Sequence, residues 1–117
     1  MHVLLIEDDP TPRHVLAAQL RAGDLRVTAV DSSESAAVII AAWGSPDVVV
    51  ADIDLPGISG AEYASHLRDW FGPERLGLVL ISGTATPSVA DRADMFLPKP
   101  CLARDLLSAV KSVKPAA

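Results

Sequence analysis

The 117-residue sequence predicts one α/β domain built on a parallel sheet. Three observations predict it. Short apolar runs rich in Val, Ile and Leu recur along the chain, and most lack polar alternation, which is how a strand buried on both faces reads. Longer amphipathic stretches with capping signals lie between them. The two alternate five times, the pattern of a doubly wound sheet with right-handed crossovers.

The strand runs are residues 3–6, 25–30, 48–51, 78–81 and 95–97. The second, LRVTAV, mixes polar and apolar residues and reads as an edge strand. Thr11 and Pro12 read as an N-cap and first helical position, with Val15, Leu16 and Leu20 as a core stripe ending near Gly23. Asp31 or Ser32 caps a second helix through Ala36, Val38, Ile39 and Ala42, which stops at Gly44-Ser45-Pro46. Ser59 and Glu62 form a capping box, and Tyr63, Ala64, Leu67, Trp70 and Phe71 follow at helical spacing before Gly72-Pro73. The fourth connection, residues 83–94, is near the minimum of about a dozen residues for a parallel crossover. It has room for a shortened fourth helix only. Leu102, Leu106, Val110 and Val113 mark the last helix. Residues 1–113 are expected to form the domain and residues 114–117 a frayed tail.

Composition excludes several classes. The formal net charge is −5 and the pI about 4.9, the wrong sign for a domain that grips nucleic-acid phosphates. The single cysteine, Cys101, allows neither an internal disulfide nor a Cys-rich zinc site. The longest apolar run, residues 36–43, is far short of the ~20 residues that span a bilayer. The N-terminus has no basic region and no cleavage site, so a secretory signal is not expected and the expected location is cytoplasmic.

In a doubly wound sheet, ligands bind at the carboxyl ends of the strands. Glu7-Asp8-Asp9 follow the first strand, Asp52-Ile53-Asp54 the third, Ser82-Gly83-Thr84 the fourth and Lys99-Pro100 the fifth. Crowded carboxylates repel unless a hard cation neutralises them. Mg²⁺ suits such a site, taking one or two carboxylates, waters and phosphate oxygens. A carboxylate beside it is a nucleophile toward phosphorus, and a lysine and a hydroxyl can hold phosphoryl oxygens. Asp9 alone reads as a helix N-terminus, His2, His14 and His66 share no ligand spacing, Cys101 reads as a small half-buried residue, and Trp70 reads as packing.

With these motifs in order, from the acidic pair through VVVADIDLPGISG (residues 48–60), Ser82-Gly83 and FLPKP (residues 96–100), the sequence resembles the response-regulator receiver domain over nearly its whole length. The resemblance implies a flavodoxin-like sheet of order 2-1-3-4-5. It implies Asp52 as phosphoacceptor, Asp8 as direct Mg²⁺ ligand, Glu7 as a ligand through water, and the Asp54 backbone carbonyl completing the set. It further implies Lys99 on a phosphoryl oxygen, a cis Lys99–Pro100 bond, and Ser82 and Phe96 as switch residues. The implied partners are a histidine kinase or histidine phosphotransfer protein and a downstream protein target. Neither nucleic acid nor membrane is a direct partner, and homodimerisation is compatible with this reading. The chain would be a stand-alone receiver or one lacking its output domain, with no enzymatic role beyond its own phosphotransfer and dephosphorylation. Three departures stand out: the short fourth connection, Cys101 where Phe is common, and an extra acid at Asp54. Two alternatives use the same residues. One is a pseudo-receiver that is never phosphorylated. The other is a phosphatase of haloacid dehalogenase type, in which Asp52 and Asp54 would be nucleophile and acid–base.

Overall fold

The computed structural model describes residues 1–52, 62, 66–67, 69–70, 76–83, 94–99 and 101–113. Five strands form one parallel sheet: β1 (His2–Ile6), β2 (Arg26–Val30), β3 (Val48–Asp52), β4 (Gly77–Ser82) and β5 (Met95–Pro98). Their spatial order is β2-β1-β3-β4-β5, with β2 on an edge, as expected. Three helices are fully described: α1 (Pro10–Ala22), α2 (Ser33–Trp43) and the C-terminal α3 (Ala103–Val113). The turn at 55–57, Ser59 of the capping box, most of the helix after it, the shortened fourth helix, Pro100 and the tail lie outside the described residues.

The uninterrupted apolar runs are explained by layers on both sides. Val3, Leu5, Val48, Val50, Val79 and Ile81 point to α1 and α3, where Leu16, Ala17, Leu20, Leu106, Ala109 and Val110 meet them. Leu4, Ile6, Val49, Ala51, Leu78 and Leu80 point the other way, against Ala36 and Ile40 of α2 and Leu67. Alternation is present, but both alternating sets are apolar.

The helices differ from the sequence reading at several points. Asp9, not Thr11, is the N-cap of α1: its backbone is extended and its carboxylate accepts the Thr11 N–H at 3.2 Å. Ser32 caps α2, accepting the Ser35 N–H at 3.1 Å. Val15, Val38 and Leu102 were expected in the core and are exposed, and Trp70 is 72% exposed. Ala17, Ile40 and Ala109 take buried places instead. An apolar helix with apolar residues all round cannot announce which face packs. Small Ala side chains let the helix approach the sheet, and the larger residues beside them turn outward.

Side chains also pin the end of the sheet opposite the strand-end carboxylates. The Asp47 carboxylate accepts the His2 N–H at 2.7 Å, while its backbone bonds His2 and Gly77 at 2.9 Å each, tying β1, β3 and β4. Asp94 accepts the Leu78 N–H on its carboxylate at 2.8 Å and donates its own N–H to the Leu78 carbonyl at 2.9 Å, fixing the start of β5.

Gly77 opens β4 where the end of α3 presses closest. A Cβ there would lie 2.2 Å from the Val113 carbonyl oxygen. Gly77→Ala should therefore displace the last turn of α3 and cost about 1–3 kcal/mol in urea denaturation. A neutral result would mean that this helix end yields without cost.

Candidate functional site at the strand ends

The strand order reverses between β1 and β3, and the crevice there is where a doubly wound sheet receives ligands. Register delivers the groups. β1 pairs with β3 up to Ile6 and Ala51, so Glu7 and Asp52 emerge side by side. β3 pairs with β4 through Asp52 and Ile81, and β4 with β5 through Ser82 and Pro98. Asp52 and Ser82 thus end their own strands instead of following them. The Lys99 N–H donates to the Ser82 carbonyl at 2.9 Å, extending the ladder to the lysine itself.

The side chains converge. Lys99 Nζ donates to Asp52 Oδ2 at 2.7 Å and to Glu7 Oε2 at 3.2 Å. Glu7 and Asp52 are buried, while Lys99 is one-third exposed. Asp8 is exposed beside them, and one carboxylate oxygen from each of Glu7, Asp8 and Asp52 lies within 4.8 Å of the others. That cluster is an oxygen donor set open to solvent on one side, which fits a hard divalent cation that keeps waters.

Burial pushes the Glu7 carboxyl up to about 6, against an opposing hydrogen bond from the Asp9 N–H; the Asp52 charge adds to the rise and Lys99 opposes it. Burial also works against the Lys99 ammonium, but hydrogen bonds to Asp52 and Glu7 outweigh it and raise its pKa. Cys101, two residues on, is half-buried, and burial raises its thiol pKa.

Arg13 was missed in the sequence. From α1 its guanidinium donates to the Glu7 carbonyl at 3.1 Å and reaches the Asp8 carbonyl at 3.4 Å, bracing the loop that carries both acids. The signal was a lone arginine one turn into a helix that follows the acidic pair. Helical side chains lean toward the N-terminus, so such a residue bends back over that loop. Asp9 serves as a cap, and His14 and His66 are exposed and distant in role. Asp54 lies outside the described residues.

Ser82 and Phe96 occupy the other side of the sheet. Ser82 continues the Leu78, Leu80 series and is 1% exposed. Phe96 is half-buried, opposite Leu80 in the ladder, and packs on the same cluster as Leu4, Ile6 and Ala51. The two are diagonal neighbours on adjacent strands.

The family model for the response regulator receiver domain matches residues 3–111. The chain belongs to the response-regulator receiver family. The receiver is 28% identical over 119 residues to the two-component response regulator ORR11 of Oryza sativa subsp. indica, spanning 97% of this chain and 81% of that one. It is 31% identical to the sensory transduction protein RegX3 of Mycolicibacterium smegmatis, of which it spans about half, 49%. Its fold is that of a receiver domain protein from Clostridium thermocellum, with a TM-score of 0.87 at 23% identity, covering 96% of this chain and 92% of the other. It also matches the response regulator TrrA from Thermotoga maritima, solved in complex with Mg²⁺–BeF, with a TM-score of 0.85 at 24% identity and coverage of 96% and 97%. The receiver is thus a signal-transduction module of the two-component class, and the sheet order implied by the sequence is observed.

Glu7 yields a pH-dependent expectation for the metal-free receiver. Its carboxyl is raised from an ordinary 4.5 to about 6, so the folded state holds that proton more tightly than the unfolded chain. The contribution to stability is therefore full below about 4.5 and is lost as pH rises toward 6. Glu7→Gln, a neutral isostere, should be more stable than the parent at pH 7 by about 1–2 kcal/mol, with the advantage shrinking steadily between pH 6 and 5. Denaturation across that range in the presence of chelator checks it. A Gln variant weaker at pH 7 would mean that the ion pair with Lys99 outweighs burial and repulsion.

Proposed function

We propose that this receiver accepts a phosphoryl group on Asp52 from the phosphohistidine of a histidine kinase or histidine phosphotransfer protein. The observation that carries the proposal is the Asp52 carboxylate at the switch-point crevice, bonded to Lys99 and flanked by Glu7 and Asp8. In the reaction an Asp52 oxygen attacks phosphorus, the P–N bond breaks, and the imidazole leaves with the bonding pair and takes a proton from solvent. An acyl phosphate forms. Lys99 is within reach to follow the charge from carboxylate to phosphoryl oxygen, and its raised pKa keeps it cationic at neutral pH.

Glu7, Asp8 and Asp52 would hold Mg²⁺, with the Asp54 carbonyl as a further ligand. When bound, the ion neutralises the phosphoryl and carboxylate charge that these residues alone would concentrate. The complex of TrrA with Mg²⁺–BeF supports this choice of metal.

Ser82 and Phe96 would form the switch. Asp52 belongs to the α1 side of the sheet and Ser82 to the α2 side, so a hydroxyl drawn toward a phosphoryl group must cross the strand ends. That movement would change the space beside Phe96 on the next strand. Phosphorylation can bias such a switch only through a different affinity for its two states, which a bond from Ser82 to the phosphoryl group would supply. Phe96 has no hydroxyl, so it would signal by position alone.

Acetyl phosphate or another small phosphodonor with Mg²⁺ should add one phosphoryl mass to the intact protein, and Asp52→Asn should remove that gain. Labelling undiminished in the Asn variant would overturn the assignment of Asp52, and an unlabelled parent would favour the pseudo-receiver reading. Mg²⁺ should also raise the melting temperature, by about 1.4 kcal/mol of stability at ten times Kd. Asp8→Ala should lose most of that gain. Equal stabilisation of both proteins would place the ion elsewhere.

A further inference from the structure

Arg13 donates to three successive carbonyls. Its guanidinium Nη1 reaches the Glu7 carbonyl at 3.1 Å and the Asp8 carbonyl at 3.4 Å, and its backbone N–H donates to the Asp9 carbonyl at 3.0 Å. A carbonyl that is held fixes the whole peptide plane to which it belongs. The Glu7 and Asp8 carbonyls belong to the two planes on either side of the Asp8 Cα. Arg13 therefore sets φ and ψ of Asp8, and with them the direction in which its side chain leaves the loop.

The rest of the cluster has restraints of its own. The Glu7 N–H donates to the Val30 carbonyl at 3.0 Å, and the Glu7 carboxylate is held by Lys99 on one oxygen and by the Asp9 N–H on the other. Asp9 is extended, at φ −82° and ψ 122°, as the proline that follows it requires. Asp52 accepts from Lys99 at 2.7 Å. Asp8 differs. It is exposed, and its carboxylate accepts no hydrogen bond among the described residues. One of its oxygens nevertheless lies within 4.8 Å of an oxygen of each of the other two acids. The backbone alone places it there, and Arg13 holds that backbone.

We propose that Arg13 is a positioning residue for the cation site, aiming Asp8 at the ion through the Glu7 and Asp8 carbonyls. The inference rests on the reading of Glu7, Asp8 and Asp52 as the residues that hold Mg²⁺. A ligand aimed in advance has less freedom to lose when the ion binds, and groups that orient metal ligands commonly change affinity by about 10–100-fold. The charge of Arg13 works the other way, because a guanidinium beside the site repels a divalent cation. Removing Arg13 tightens binding if charge alone counts and loosens it if aim counts, so the sign of the change separates the two. Arg21 is the comparison on the same helix. Its guanidinium also braces a backbone carbonyl, that of Val27 at 3.1 Å, but it does so from the far end of α1.

Titration of the full chain with Mn²⁺, followed by water-proton relaxation with Mg²⁺ as competitor, tests the proposal, since Mn²⁺ takes the same oxygen ligands. Arg13→Met should weaken binding about tenfold. Arg13→Lys keeps the charge but replaces the planar fork with a compact donor. It should weaken binding about threefold, and it carries the test if the Met variant does not fold. Arg21→Met should leave the affinity unchanged. In an Asp8→Asn background, Arg13→Met should add less than about a twofold further loss, because the ligand it aims is already gone. Unchanged or tighter binding after Arg13→Met would overturn the proposal and leave the cation site standing. Equal losses in the two backgrounds would overturn it too, because Arg13 would then act on the fold as a whole. A parent chain with no saturable Mn²⁺ binding would remove the cation site and this inference together.

Discussion

Two carboxylates share one ammonium at the carboxyl edge of the sheet, and a third stands beside them. Lys99 reaches Asp52 at 2.7 Å and Glu7 at 3.2 Å, and Asp8 completes the cluster from the solvent side. One positive charge cannot balance three negative ones. The Glu7 carboxyl responds by rising to about 6, driven first by burial and then by the charge of Asp52. The surplus of negative charge is costly for the folded state alone, and a donor set of this kind fits a hard cation.

Holding such a cluster requires a stiff frame, and the parallel ladder supplies it. Glu7 continues the β1–β2 ladder through its N–H to the Val30 carbonyl at 3.0 Å, and Lys99 continues the β4–β5 ladder to Ser82. The groups are therefore placed by backbone hydrogen bonds, with Arg13 bracing the one loop that carries two of the acids. Apolar layers on both faces lock the register, because a slip by one residue would exchange the two packed faces.

The same alternation sorts the strand-end residues onto two faces. Asp52 belongs to the face covered by α1 and α3, and Ser82 and Phe96 to the face covered by α2. The two faces meet at the strand ends, where Lys99 hydrogen-bonds the Ser82 carbonyl through its backbone and Asp52 through its side chain.

The sequence by itself determined the sheet, the order of its elements and the chemical set at the strand ends. Apolar runs of strand length broken by Gly, Pro and capping residues leave few other folds, and the acids and the lysine follow the runs directly. It could not determine which helix residues face inward. Val15, Val38 and Leu102 are as apolar as their buried neighbours, and only the close approach that Ala17, Ala36 and Ala109 permit decided the matter. Nor could it reveal Arg13 over the acidic loop, or Asp47 and Asp94 stitching the opposite end of the sheet. Those contacts depend on where a flexible polar side chain ends up once the backbone is fixed, and spacing along the chain carries no record of that. The sharing of Lys99 between Asp52 and Glu7 belongs to the same class: its partners lie 47 and 92 residues away, and only the parallel register brings them within 3.2 Å.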